Sequence, residues 1–330
     1  MSFKVLVTTP DYLPRKGGLT TYTIDLVEAL REANYDVDIY HWKKISDLKL
    51  IKHQRYEKII NINYTAGYLG DWDRSKNINI IHGSEILFHS NNLLKKIYKK
   101  IFKRRIITFF EKSQRNIFIS EFTRNKLVDA GFKIDYFRDI IFHNCINTNN
   151  GEFVNNDIGD LLKVCCVVRD TPHKNIHGAI SLLEELSEYL NLKVQLSLNS
   201  ERYSSSIITI KKNHDLSDVS REELYRESHF NILLSLDHSS SGYYEGFGLT
   251  CLEAGKYGVP SIVSRFGGLP ENVHDGLNGI VFDDRQGVDD FCERIKILIG
   301  DYSNTRKNTY EHTINSHGRH NLKKLLEVVL

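Results

Sequence analysis

Two glutamates, Glu245 and Glu253, close the stretch EGFGLTCLE at its two ends, eight positions apart. Gly246 and Gly248 disfavour a helix whereas Leu252 and Ala254 permit one, so a helix is expected to begin near Leu249, after the strand-like run FNILLSL at 230–236. Amides of Phe247, Gly248 and Leu249 at such a start, with Thr250 beside them, suit a phosphate oxygen, and the helix dipole adds to the attraction. A carboxylate repels phosphate, which leaves the glutamates for sugar hydroxyls, since each accepts two or more hydrogen bonds. A nucleotide-sugar carries a ribose and a hexose on opposite sides of a diphosphate, and the spacing fits that ligand.

Other residues suit the same chemistry. Arg169 and Lys174 follow the apolar run LLKVCCVV (161–168), five positions apart across a turn with Pro172. A forked guanidinium and a point-charge ammonium together suit a diphosphate, although surface salt bridging uses the same pair. Gly17 and Gly18 precede a helical pattern with Ile24, Leu26, Val27 and Leu30 on its apolar side, and paired glycines let backbone amides approach a ligand. His82 opens HGSE (82–85), at the end of a strand-like run. DVD at 36–38 and DWD at 71–73 invite a divalent-metal reading. Asp36 and Asp38 fall in a strand pattern, and Arg169 with Lys174 already supply positive charge, so neither a metal nor another cofactor is expected.

These residues must be held by a scaffold. Strand-like runs occur at 3–9, 36–42, 57–62, 78–82, 116–120 and 139–143, separated mostly by helical patterns. An Asn-rich segment follows, and the rhythm restarts at 161–168, 192–199, 206–210, 230–236, 260–264 and 278–282. That alternation predicts an α/β chain of two doubly wound parallel sheets, joined near residue 150. Ligand sites in such sheets lie outside the carboxyl ends of the strands, which is where the residues above fall.

At 330 residues, 41% hydrophobic and 26% charged, the chain can fill two cores and is not disordered. No apolar run approaches the roughly 20 residues of a spanning helix, and 1–9 reads as a strand rather than a signal peptide, so a cytoplasmic location is expected. Five cysteines, an odd number without zinc-type pairing, read as reduced, packed thiols.

The net charge of +2 conceals two opposed halves. Residues 1–150 carry 25 Lys and Arg against 16 Asp and Glu, and residues 151–330 carry 19 against 26. The basic excess centres on Lys95, Lys96, Lys99, Lys100, Lys103, Arg104 and Arg105, with Leu93, Leu94, Ile97 and Ile101 at helical spacing among them. A basic amphipathic helix of this kind serves an anionic membrane, a nucleic acid, or a solvated face over a core. No aromatic stacking platform accompanies the charge, so no nucleic-acid partner is expected.

In chain order, Gly17-Gly18, HGSE, ISEFTRNKL (119–127), the pair Arg169 and Lys174, EGFGLTCLE and GGLPENVHDGLNGIVF (267–282) resemble the motifs of the family 4 retaining glycosyltransferases of group 1 type. The resemblance covers nearly the whole chain and is stronger in its second half. It implies the GT-B fold, two Rossmann-like domains facing across a cleft: an acceptor-binding domain at 1–150 and a nucleotide-sugar-binding domain at 151–330, with a tail from about 318 crossing back to the first. It implies that Gly17 and Gly18 offer amides to the donor phosphate and that Arg169 and Lys174 neutralise the leaving diphosphate. By the same likeness His82 lies near the transferred sugar, Glu245 orients it, Glu253 binds the ribose, and Gly268 to Glu271 frame the sugar pocket. The implied reaction is transfer of a hexose, with retention, from a UDP- or GDP-sugar to a lipid-linked or cell-surface glycan in bacterial polysaccharide or lipopolysaccharide assembly. In that context the basic helix is read as docking the enzyme, from the cytoplasm, on the inner face of the cytoplasmic membrane. Other readings of the same fold are a catalytically silent binding subunit, which the intact set His82, Arg169, Lys174, Glu245 and Glu253 disfavours, and a phosphorylase or epimerase. Two departures stand out: a longer polar stretch, DHSSSGYY, where the family shows Pro-Ser before the first glutamate, and HKN where it favours Lys-Gly.

Overall fold

A computed structural model describes residues 3–14, 17–49, 51–70, 72–83, 93–213 and 216–329. The chain divides into two compact units, one of residues 1–147, 238–247 and 318–330, the other of 148–237 and 248–317. The short excursion 238–247, which contains Glu245 and Phe247, thus groups with the first unit, as does the tail from Gly318.

Unit 1 alternates β1 (Lys4–Thr9), α1 (Gly18–Glu32), β2 (Asp36–His41), α2 (Ile45–Leu48), β3 (Lys58–Asn61), α3 (Thr65–Leu69), β4 (Asn77–Ile81), α4 (Leu93–Lys112), β5 (Arg115–Phe118), α5 (Glu121–Asp129) and β6 (Asp139–Ile141). The strands form one parallel sheet in the order β2-β1-β3-β4-β5-β6. A buried polar row crosses it in register. Thr8 donates to Asn61 Oδ1 (2.9 Å), Asn61 to Asn79 Oδ1 (3.1 Å), Asn79 to Asn116 Oδ1 (2.9 Å) and Asn116 to Asp139 Oδ1 (2.8 Å). Each amide both donates and accepts, so a slip of one strand would leave several buried groups unsatisfied. Elsewhere the helices cover apolar clusters, such as Ile81, Ile106, Phe109, Phe110, Phe118 and Phe132 beneath α4 and α5.

Unit 2 continues with β7 (Leu161–Cys166), α6 (Ile176–Leu190), β8 (Lys193–Leu198), β9 (Thr209–Lys212), α7 (Asp218–Glu227), β10 (Phe230–Leu233), α8 (Leu249–Gly255), β11 (Ser261–Ser264), α9 (Leu269–Asn272), β12 (Gly279–Phe282), α10 (Gly287–Gly300) and α11 (Tyr302–His317). A last helix, α12 (Leu322–Val329), belongs to unit 1. The second sheet is also parallel, in the order β12-β11-β10-β7-β8-β9. The chain winds outward from β7 in one direction and from β10 in the other, so the switch point lies between their carboxyl ends. Cys165 and Cys166 point to opposite faces and join different apolar clusters, and all five cysteines are free and buried. Burial pushes the Cys165 and Cys166 thiols up to about 12, as expected of inert packed thiols.

The α/β architecture of two doubly wound parallel sheets is the one expected, with small differences. The run at 206–210 yields a strand only from Thr209, because Ser205 Oγ accepts from the amides of Ile207 and Ile208 and turns the chain before pairing begins. Ile24 is only half-buried, whereas Thr20, Tyr22, Thr23 and Asp25 join the covered face of α1. Among the described residues no helix is long and apolar enough to cross a membrane.

Candidate nucleotide-sugar site

In unit 2 the expected residues gather at the carboxyl ends of β7, β10 and β11. Arg169 lies three positions beyond β7 and is exposed. Lys174 closes a single 3₁₀ turn, Pro172–Lys174, and is half-buried. Asn175 then takes φ 50°, the left-handed conformation that a Lys-Gly sequence would supply through glycine, and its side chain caps α6 by accepting from the Gly178 amide at 3.2 Å. The HKN departure therefore keeps the turn. The turn is tied to the neighbouring loop by the Leu236 amide, which donates to His173 O (2.8 Å), and that loop is tied to β11 by Ser264 Oγ, which donates to Ser235 O (2.6 Å).

Gly248 precedes α8 with φ 84°, and a Cβ there would lie 2.5 Å from Leu269 Cδ2, so both backbone conformation and space require glycine. Asn272 Nδ2 donates to Gly248 O at 3.1 Å, which fastens the segment Gly268–Glu271 to the start of α8. Leu249 and Thr250 are the first two helical residues. The Thr250 hydroxyl is buried and has no hydrogen-bond partner among the described residues, as is the case for Ser235 Oγ in the loop after β10. Unsatisfied buried hydroxyls at a strand–helix junction are what an anionic ligand would occupy.

Glu253 stands on the first turns of α8, its side chain 20% exposed. Tyr225 of α7 donates to its Oε2 at 3.1 Å, and Arg221 Nε lies 3.8 Å from the same oxygen. Desolvation raises the Tyr225 hydroxyl well above its ordinary range, so it remains a donor and leaves Oε1 for another partner. Sequence reasoning missed Arg221 and Tyr225. They sit in an ordinary helical pattern, and only the fold brings α7 beside α8.

Unit 1 holds the remaining residues. Gly17 is extended (φ 173°) and Gly18 is the first residue of α1. His82 follows β4 and packs edge-on against Tyr22, ring centroids 4.6 Å apart. Desolvation lowers its imidazole to about 3, which keeps it neutral across the physiological range. A Cβ on Gly246 would lie 2.3 Å from His82 O, so glycine allows the segment carrying Glu245 to run directly beside His82. The polar DHSSSGYY stretch contributes to this: Tyr244 packs on Phe122 at 5.3 Å, while Phe247 lies 5.0 Å from His143. Glu245 is half-buried. Ser84 and Glu85 lie outside the described residues.

Of the two acidic pairs, Asp36 and Asp38 are both 3.3 Å from Lys4 Nζ, and Asp38 also accepts from Tyr56 (2.6 Å) and Arg55 (3.0 Å). These ion pairs hold β2 to β1. Asp71 of the second pair lies outside the described residues. Among the described residues no group of three or more His, Cys, Asp or Glu side chains is placed to hold a metal.

The basic stretch forms α4. Lys100, Arg104 and Arg105 are exposed and Lys103 half-buried, whereas the side chains of Lys95, Lys96 and Lys99 lie outside the described residues. Ile97 and Ile101 are 46% and 69% exposed, so these two do not serve the core, whereas Phe102, Ile106, Phe109 and Phe110 do.

Comparison with known proteins bears on the family and the fold. Residues 150–316, half of the chain, match the family model of the glycosyl transferases group 1. An uncharacterised glycosyltransferase of Methanocaldococcus jannaschii, MJ1178, is 24% identical over 87% of this chain and 86% of its own. Among solved structures, HepE of Anabaena in complex with UDP matches with a TM-score of 0.70 at 14% identity, covering 99% of this chain and 98% of that one. Sucrose-phosphate synthase of Thermosynechococcus elongatus matches with a TM-score of 0.72 at 15% identity, over 98% and 97% of the two chains. At such identities the structural likeness establishes the fold, that of the two-domain GT-B glycosyltransferases. The family match, which runs from before β7 to the end of α11, shows that the chain belongs to the group 1 glycosyl transferases.

Proposed function

We propose that this glycosyltransferase is of the family 4, E-x7-E type and moves a hexose, with retention of configuration, from a UDP- or GDP-sugar to a lipid-linked or cell-surface glycan, in bacterial polysaccharide or lipopolysaccharide assembly. What carries the donor reading is that Arg169 and Lys174 follow β7 while the left-handed Gly248, the buried Thr250 hydroxyl and Glu253, held by Tyr225 and Arg221, follow β10, the neighbouring strand across the switch point of unit 2. Two proteins of the same fold support it. The HepE structure is a complex with UDP, and WaaG, a glycosyltransferase of lipopolysaccharide biosynthesis, matches with a TM-score of 0.62 at 12% identity over 98% of both chains.

In this reading Lys174 and Arg169 meet the diphosphate. As the bond from the anomeric carbon to the diphosphate oxygen breaks, negative charge grows on the leaving group, and cations fixed there lower the barrier most. The acceptor hydroxyl forms the new bond on the same face, and its proton passes to a donor phosphate oxygen, so neither an enzyme nucleophile nor a metal is required. The amides of Gly17 and Gly18 approach the donor phosphate. Glu253 takes the ribose hydroxyls through Oε1, Gly268 and Glu271 border the sugar, and Glu245 orients it. His82, held neutral, offers a hydrogen bond near the anomeric carbon without placing a full charge beside it. The exposed isoleucines and cations of α4 support a peripheral position on the inner face of the cytoplasmic membrane.

Thermal-shift titration with UDP- and GDP-sugars in EDTA, for wild type and Glu253→Ala, tests the donor half. Stabilisation by one nucleotide series, weakened about tenfold in the variant, is expected from the loss of one charged hydrogen-bonding group. No shift with any nucleotide-sugar would reject the donor site and favour a silent binding subunit. NMR of the anomeric proton in the product then decides retention.

A further inference from the structure

Phe137 and Tyr136, in the loop between α5 and β6, are 96% and 70% exposed. Single exposed apolar residues are common on protein surfaces. These two differ because a rigid turn presents them. The Arg138 amide donates to Asp135 O (3.0 Å), the Phe137 amide to Asp135 Oδ1 (3.1 Å) and the Asp135 amide to Asp139 Oδ2 (2.9 Å). Arg138 clamps the turn from the other side: Nε and Nη2 bond the Asp139 carboxylate at 2.7 and 2.6 Å, and Nη1 bonds Glu111 O at the end of α4. Asp139 is itself the last member of the buried row that begins at Thr8. The tip is thus fixed to both the sheet and the basic helix, and holding two aromatic side chains in water this firmly serves no core.

The surroundings are cationic. The Arg124 guanidinium lies 5.3 Å from the Tyr136 ring, the end of Lys103 reaches to Gly131 in the same loop, and Lys133 is exposed between them in sequence. Of the nearby acids, Glu121 is bonded to Arg124 and Asp135 and Asp139 are engaged in the turn, while Asp129 is exposed at the end of α5. Two side chains on one turn are far too small an area for a stable protein partner, which needs roughly 800 Å² a side. They are enough for a bilayer, where a ring inserted at headgroup depth adds an apolar contribution to the attraction between cations and anionic lipid.

We propose that Tyr136 and Phe137 form a wedge that enters the headgroup–acyl boundary of an anionic bilayer, while Lys100, Lys103, Arg104 and Arg105 of α4 supply the electrostatic hold. This rests on the membrane reading of α4 and adds to it a site of insertion outside the helix. The test uses the full chain with phosphatidylglycerol–phosphatidylcholine vesicles. A Phe137→Trp variant, read as the difference from wild-type emission, is expected to shift to the blue and to be quenched by lipid brominated near the headgroup. Tyr136→Ser with Phe137→Ser is expected to lower vesicle affinity at least about tenfold, as the loss of two inserted rings implies, with an unchanged thermal midpoint and with the remaining binding abolished by salt. Vesicle binding by wild type, with the added emission of the Phe137→Trp variant remaining water-like, would overturn the wedge and leave the helix docking intact. Failure of wild type to bind anionic vesicles would remove both. Self-association in the absence of lipid that is lost on Phe137→Ser would assign the tip to a second copy of the chain and also overturn it.

Discussion

At one register level of the first sheet stand Thr8, Asn61, Asn79, Asn116 and Asp139; at a comparable buried level of the second stand Ser197, Cys165, Asn231 and Ser261. The first row is a chain of amide hydrogen bonds between 2.8 and 3.1 Å. In the second, Asn231 reaches Ser261 Oγ at 3.1 Å but otherwise meets only sulfur, at 3.7 and 4.0 Å. Both sheets are parallel and six strands wide. The first is aligned by directional polar bonds that run from strand to strand, the second by apolar packing around them. Their functional residues differ likewise. In unit 2 Arg169 and Lys174 sit in the short turn directly after β7, so that motif is local, while Glu253 on α8 relies on Tyr225 and Arg221 of α7. In unit 1 they depend on segments distant in sequence, such as Gly246 against His82.

The sharpest test of this division is the charge at the switch point. Arg169→Ala is expected to lower kcat by about 10²–10³-fold, the usual cost of removing a group that stabilises developing charge, with no change in thermal midpoint because the side chain is exposed. Steady-state kinetics at saturating donor decide it. A kcat within threefold of wild type would mean that unit 2 does not concentrate the electrostatic work.

The next effect is on stability. Asn79→Leu removes the centre of the amide row and strands Asn61 Nδ2 of one bond and Asn116 Oδ1 and Ser113 Oγ of others, and should cost about 2–3 kcal/mol. Asn231→Leu should cost about 1 kcal/mol, since thiols are poor partners. Urea unfolding of the full chain measures both. Equal losses would show that the two rows do the same job.

Much of this was legible beforehand. All twelve strands lie within or beside the expected runs because buried parallel strands read as continuous apolar stretches, whatever surrounds them. The run at 206–210 is strand only from Thr209, because a serine-mediated turn looks like strand in an apolar pattern. Gly248 was readable since glycine between aromatic and helical residues has few structural reasons. Tyr225 was not, as its role comes from contact between two helices 28 positions apart. The cationic face of α4 was visible as charge, whereas the wedge at Tyr136–Phe137 was hidden, because nothing in FKIDYFRD distinguishes an exposed phenylalanine from a buried one.

Acidity separates the units more gently. Desolvation lowers His82 in unit 1 to about 3 and His229 in unit 2 to about 4; His229 Nδ1 also accepts from the Lys163 amide at 3.0 Å, a bond that protonation destroys. Both imidazoles are neutral when folded, so their contribution is complete above the unfolded value near 6.5 and is lost as pH falls through 6.5 toward 4 and 3. Replacing either by Asn should flatten the stability–pH slope between pH 6.5 and 4. The difference should be about 1–2 kcal/mol for each, discounted for His82 because part of that residue remains in contact with solvent. A wild-type slope that persists in His82→Asn would place the acid sensitivity of unit 1 elsewhere.

The smallest effect bears on the one turn where unit 2 departs from its family. Asn175→Gly removes a left-handed non-glycine residue, which is favourable, and removes the cap on the Gly178 amide, which is not; the two should cancel to within about 0.5 kcal/mol. Asn175→Ala keeps the strain and loses the cap, and should cost about 2 kcal/mol. Position 178 reports on the same geometry, because a Cβ on Gly178 would lie 2.3 Å from Asn175 Nδ2. Gly178→Ala should therefore destabilise the wild type yet be tolerated, or even stabilising within α6, once Asn175 is glycine. Thermal midpoints of the two single variants and the double variant measure that coupling. Additive values would mean that the cap and the left-handed turn are independent, and that the Asn175 side chain is not what holds Lys174 beside the switch point.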